Sequence, residues 1–114
     1  MRLAPILVAL LLYCACGPCD DEVQSESVSP DRALAATSFV RNCGATTDFS
    51  TIVSVHRPGD TYRDENTFVF VARGRERVEL KWNAPKKLQI HCKACERENI
   101  FKKVTALGDI DIDY

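Results

Sequence analysis

Arg77-Val78-Glu79-Leu80-Lys81-Trp82 alternates charged and apolar side chains without a break. Successive side chains of a strand point to opposite faces, so this spelling puts Val78, Leu80 and Trp82 on a buried face and Arg77, Glu79 and Lys81 in solvent. The same period of two recurs on both sides of it. Leu88, Ile90 and Cys92 alternate with Gln89 and His91, and Ile110, Ile112 and Tyr114 alternate with Asp109, Asp111 and Asp113. Phe49, Thr51, Val53 and Val55 make one face of a further strand. Thr67-Phe68-Val69-Phe70-Val71-Ala72 is apolar on both faces and rich in β-branched residues, which predicts a central strand. Turn formers separate these runs at Arg57-Pro58-Gly59-Asp60, Arg73-Gly74-Arg75, Asn83-Ala84-Pro85 and Leu107-Gly108-Asp109. The pattern predicts a mainly β domain, a small antiparallel sheet or sandwich of about five to six strands.

Two segments leave an α+β variant open. Ser29-Pro30-Asp31 has the Ser-then-Pro order of a helix start, with Ala33-Leu34-Ala35-Ala36 behind it. Thr37, Phe39 and Val40 are poor helix formers and favour a turn feeding a strand from Ala33 to Arg41. Residues 96–107 fit a helix with Ile100, Phe101, Val104 and Leu107 on one stripe, or a strand and a bend.

The 114-residue chain carries a formal charge of −1, with 27% charged and 46% hydrophobic residues. One domain fits that length, and the balance lacks the basic excess of a nucleic-acid binder. No run reaches the roughly 18 apolar residues of a spanning helix. At the N-terminus, Arg2 precedes the apolar run Ile6-Leu7-Val8-Ala9-Leu10-Leu11-Leu12-Tyr13, the length of a signal-peptide core. Ala15 before Cys16 then resembles the cleavage box of bacterial lipoproteins. The resemblance implies removal of residues 1–15, which carry Cys14 away, and lipid attachment at Cys16. Ordinary secretion with cleavage near Cys16-Gly17 is the competing reading. Residues 16–29 are acidic and Ser-rich with little to bury, so they are expected to be a flexible tether ahead of a β-rich domain at 30–114.

Cys43-Gly44-Ala45-Thr46-Thr47-Asp48-Phe49 resembles a block of small bacterial envelope proteins that also carry a Ser-Pro-Asp turn and a closing strand like Asp109 to Tyr114. Arg32 stands where that family has Gly. The resemblance implies a small β domain, often a lipoprotein, and brings no activity with it. On physical grounds Cys43, Gly44, Ala45, Thr46, Thr47 and Asp48 form a polar turn, which is either a plain connection or a small binding loop.

Cys19, Cys43, Cys92 and Cys95 remain for chemistry. Four cysteines allow three full pairings, and export favours disulfides. Cys92 and Cys95 are expected to pair locally, with a bridge from Cys43 to one of them as the competitor. Cys19, in the tether, is expected to stay free or to pair between chains. His91-Cys92-Lys93-Ala94-Cys95 also has the spacing of a thiol–disulfide site, with cations that lower a thiol pKa. No proline follows Pro85 to supply the cis-proline loop of thioredoxin-like folds. Cys16-x-x-Cys19 with Cys92-x-x-Cys95 has zinc spacing, but a lipid on Cys16 removes one ligand. Nothing in the sequence brings Cys43 to His56 as a nucleophile and base.

His56 and His91 are expected to face solvent at strand ends. Lys81, Lys86, Lys87, Lys93, Lys102 and Lys103 make the second half locally basic, either as solvated faces or for docking to an anionic surface. The sequence therefore reads as a non-enzymatic envelope domain with no catalytic residue, metal or cofactor. Its expected partners are the membrane, through the lipid, and another envelope protein. A periplasmic thiol–disulfide protein using Cys92 and Cys95 is the alternative.

Overall fold

The computed structural model describes residues 19–44 and 47–114. Residues 1–15 and Cys16, the signal and anchor of the sequence reading, lie outside the described residues, as do Ala45 and Thr46. The fold is mainly β. The described strands are β1 Asp20–Val28, β2 Ala35–Asn42, β3 Ser50–His56, β4 Phe68–Arg73, β5 Glu79–Ala84, β6 Lys87–His91, β7 Ile100–Lys103, β8 Ala106–Leu107 and β9 Ile110–Asp113. They form a five-stranded sheet in the order β1-β2-β3-β4-β7 and a four-stranded sheet in the order β5-β6-β9-β8. Every described pairing is antiparallel except β6 with β9, where Lys87 lies opposite Asp111.

One apolar cluster joins the two sheets. Ala36, Val53, Val55, Phe70 and Ala72 of the first meet Leu88, Ile90, Ile110 and Ile112 of the second, with Val78 just ahead of β5. The alternation at 78–82 and 88–90 is borne out, with Val78, Leu88 and Ile90 buried while Glu79, Lys81 and Gln89 are exposed. A bulge sets Val53 opposite Phe70 but Ser54 opposite Phe68, and the extra residue brings Val69 into the shared core beside Phe70. β4 is central, as its two apolar faces predict. Its second face packs Phe68 with Phe39 and Ile52, roofed by Tyr62 from the 57–67 connection, whose ring centroid is 4.7 Å from that of Phe39.

Three expectations need correction. The tether is the first: Asp20–Val28 is an edge strand paired along β2. Its side chains and backbone find distant partners, so composition alone misreads it. Asp21 takes both Arg41 and Arg63, Ser25 Oγ lies 2.9 Å from Ser38 Oγ, and Trp82 Nε1–H donates to the Ser27 carbonyl at 2.8 Å. Charged residues along such an edge also oppose unwanted pairing with another chain. The second is the strand count, nine among the described residues against the expected five to six; the segment 96–107 takes the strand-and-bend alternative, a 3-10 turn at Arg97–Asn99 followed by β7 and β8. The third is His56, which is 7% exposed, whereas His91 does face solvent.

The Ser-Pro-Asp segment is a turn into a strand, not a helix start. Ser29 Oγ–H donates to Asp31 Oδ1 at 2.7 Å and accepts from the Leu34 N–H at 3.1 Å. The Ser29 hydroxyl, followed by the Ala33 N–H, holds the Asp31 carboxyl below its ordinary value. Arg32 takes φ 63°, a left-handed conformation that glycine adopts without a Cβ clash, so the turn forms despite the departure from Gly.

Tyr114 packs against the shared core. The Tyr114 O–H donates to the Val104 carbonyl at 2.7 Å, and burial pushes the phenol up to about 12. Neutral Tyr114 is thus favoured by folding. Its contribution is complete below the ordinary value of 10.0 and is lost as pH rises toward about 12. Ultraviolet titration should show a late-ionising phase, and Tyr114→Phe should abolish it.

Candidate functional site

The topology sorts the polar residues to two ends. β1 begins, β2 ends, β3 begins, β4 ends and β7 begins at one end of the larger sheet, because Asp20 lies opposite Asn42, Arg41 opposite Ser50, Ser50 opposite Arg73, and Ala72 opposite Ile100. Call this the β1-start end. The β2–β3 connection that carries the expected binding loop lies here. Gly44, at φ 131°, donates its N–H to Asn42 Oδ1 at 3.1 Å, and the Thr47 N–H and O–H both donate to the Gly44 carbonyl. These bonds shape the turn. Asp48 pairs with Arg73 at 3.4 Å, with both side chains more than half exposed, so the pair contributes little. Two aromatic faces at this end carry guanidinium groups: Arg75 lies 4.9 Å from the Phe49 centroid and Arg73 lies 5.3 Å from the exposed Phe101.

Cys43 is bonded to Cys19, not to Cys92 or Cys95, and Cys92 is bonded to Cys95. The local pair is the one its spacing predicts. The Cys19 expectation is corrected: β1 runs beside β2, so residues 19 and 43 meet just beyond the Asp20–Asn42 register pair. A Cys43–His56 nucleophile is excluded in this state, since Cys43 is oxidised and His56 ends β3 at the opposite end of the sheet. Cys92 and Cys95 are likewise consumed, so they offer zinc no thiolates. Among the described residues no cluster of three or more His, Cys, Asp or Glu side chains has a metal-binding arrangement.

The opposite end, unremarked by sequence reasoning, holds a cleft lined by residues of three segments. It has a volume of about 430 Å³ and is lined by Leu34, His56, Arg57, Asp60, Thr61 and Asp64, among others. That lies within the usual size range of small-ligand sites. Its rear wall is ordered by hydrogen bonds. The Ser54 and Thr67 hydroxyls lie 2.6 Å apart, and the Thr67 O–H donates to the Asp64 carbonyl at 2.6 Å. His56 Nδ1 is 2.8 Å from the Arg57 carbonyl, so in the neutral ring Nδ1–H donates and Nε2 accepts from Thr37 Oγ1 at 2.7 Å. Thr37 Oγ1 also lies 3.4 Å from Glu26 Oε2. A protonated ring would donate from Nε2 to Thr37 and release the threonine proton toward Glu26. The His56–Thr37–Glu26 line across β3, β2 and β1 therefore has two hydrogen-bond arrangements.

A third feature opens on the flank. The cleft there, about 200 Å³, is lined by Phe70, Ile90, Cys92, Cys95, Lys103 and Tyr114, among others. No family model, curated protein or solved structure matches this chain.

Proposed function

We propose that this chain is an exported envelope lipoprotein, held by a lipid on Cys16, whose domain is a non-enzymatic module that recognises another envelope protein. The observation that carries the reading is the Cys19–Cys43 disulfide. A disulfide across the first two strands fits an oxidising compartment. It also changes the geometry that a flexible tether would give. Only Gly17 and Pro18 separate Cys16 from the stapled Cys19. Three residue steps reach at most about 11 Å. A lipid on Cys16 would therefore hold the β1-start end against the headgroups and turn the 43–48 loop toward the bilayer. The His56 cleft and the 57–67 connection would face away, where a partner can reach them. Partner recognition is accordingly assigned to this distal end.

Intact mass of membrane-fraction protein tests the anchor. The expected species begins at Cys16 and carries acyl groups, and Cys16→Ser should move the protein out of the membrane fraction. An unprocessed, lipid-free chain would overturn the reading. Photo-crosslinking residues placed at exposed Thr61 and Thr47 test the orientation. Protein adducts should come from position 61 and lipid adducts from position 47. The opposite distribution refutes the distal assignment.

A further inference from the structure

The two disulfides differ in their surroundings, and we infer that Cys92–Cys95 is a thiol–disulfide exchange site while Cys19–Cys43 is structural. This holds with or without a lipid anchor, because it rests on the flank cleft alone.

The site is built from three sides. The described β6–β9 register runs only from Lys87 to Gln89, and beyond it Ile90, Cys92 and Cys95 line an open cleft together with Ile100 and Lys103 of β7. Both cysteines are partly buried and pack on the shared core, which holds the sulfurs at the cleft wall. Two lysines lie close by: Lys103 lines the cleft, and Lys93 lies between the two cysteines in sequence. Lys103 Nζ is 4.7 Å from the Tyr114 ring centroid, which steers the ammonium to the cleft, and the phenol adds no negative charge at neutral pH. A thiolate released at this wall is stabilised by those charges, and a stabilised leaving thiolate speeds exchange. At about 200 Å³ the cleft accepts a small thiol or a single cysteine side chain.

The disulfide spans a sequence separation of 3, against 24 for Cys19–Cys43. Opening the shorter ring releases little chain, so the fold should survive it. The Cys95 N–H to Cys92 carbonyl contact, at 3.4 Å, keeps the turn in place without the sulfur link.

The chemistry balances in two steps. An incoming thiolate attacks one sulfur, a new S–S bond forms, and the Cys92–Cys95 bond breaks with its electron pair on the other sulfur. A second thiolate then attacks the incoming sulfur and frees the first cysteine. Two thiols give up two electrons and two protons and leave as their disulfide, while the domain becomes a dithiol.

Glutathione redox buffers provide the test, with acid quenching, alkylation and peptide mass to score each cysteine, and circular dichroism to monitor the fold. Cys92 and Cys95 should open while Cys19–Cys43 remains closed and the β spectrum is unchanged. Cys95→Ser should leave a Cys92 thiol that forms a mixed disulfide with glutathione. Lys103→Gln should slow opening about threefold, because the leaving thiolate loses a neighbouring positive charge. If Cys19–Cys43 opens first, or both open only as the fold is lost, Cys92–Cys95 is a structural bridge and the inference fails.

Discussion

Asp21→Ala should lower the unfolding free energy by about 3–5 kcal/mol, the usual cost of removing one partner from a buried ion pair. The Asp21 side chain is 2% exposed, though it lies on an edge strand that composition marks as disordered. Its two oxygens take Arg41 Nε at 2.9 Å, Arg41 Nη2 at 3.1 Å and Arg63 Nε at 2.9 Å. The two arginines respond differently to its loss. Arg63 is 46% exposed and can turn to water, whereas Arg41 is 18% exposed. The Arg41 guanidinium is stacked over Phe39 and Phe68, at 5.4 and 5.5 Å from their centroids. The Asp21 hydrogen bond raises Arg41 above its ordinary value, and without it the cation keeps its desolvation cost. Most of the destabilisation should therefore come through Arg41. A second change tests that attribution: Arg41→Met in the Asp21→Ala background should recover part of the loss, because an apolar side chain suits the aromatic wall. Urea unfolding of the single and double variants gives the coupling. A loss under about 1 kcal/mol for Asp21→Ala would mean the pair behaves like a surface bridge and that β1 is attached by other contacts.

The local alternation was sufficient wherever a strand has one buried face or two. Val78 to Trp82, Leu88 to Ile90 and Thr67 to Ala72 carry their orientation in their own spelling, and the structure agrees with it. β1 could not be read this way. Its stabilising partners are Arg41, Arg63, Ser38 and Trp82, far along the chain, and a window of nine residues contains none of them. The cysteines divide along the same line. Cys92 and Cys95 close a turn within their own segment, whereas the Cys43 partner depends on recognising β1. The parallel β6–β9 pair requires the chain to leave one sheet for the other and return, and no periodicity records that. The polar turn at Asn42 to Asp48 was legible because glycine and hydroxyl residues signal it locally. The His56 cleft was not, since its walls come from the 29–34 turn, the end of β3 and the 57–67 connection. His56 at the end of a strand resembles a solvated residue until the connection is folded over it.

Replacing Cys19 and Cys43 together by alanine should cost about 3.5 kcal/mol, against about 2 kcal/mol for the Cys92 and Cys95 pair, from the loop-closure dependence on ring size. For a domain of this size, the first loss corresponds to a melting point lower by about 15–25 °C. The larger effect has a local consequence. β1 is an edge strand held to the sheet on one side only, and the disulfide fixes the end at which it starts. With the disulfide gone, that end keeps the first rungs of the β1–β2 ladder, the Asp21 and Glu22 ion pairs, and the Arg63 donation to the residue 19 carbonyl at 3.1 Å. Hydrogen exchange should quicken first at Asp20 to Val23 and only later in β3 and β4, which the sheet encloses. A melting point unchanged by the double replacement would show that the ion pairs alone fix β1. If the chain is anchored at Cys16, fraying also lengthens the connection to the bilayer, because every β1 residue released becomes tether. The same variant should then weaken lipid adducts from a crosslinker at position 47 while adducts at position 61 persist. Stability and orientation thus depend on the same bond, and the composition that suggests a tether describes only the start of β1, Asp20 to Val23, once that bond is removed.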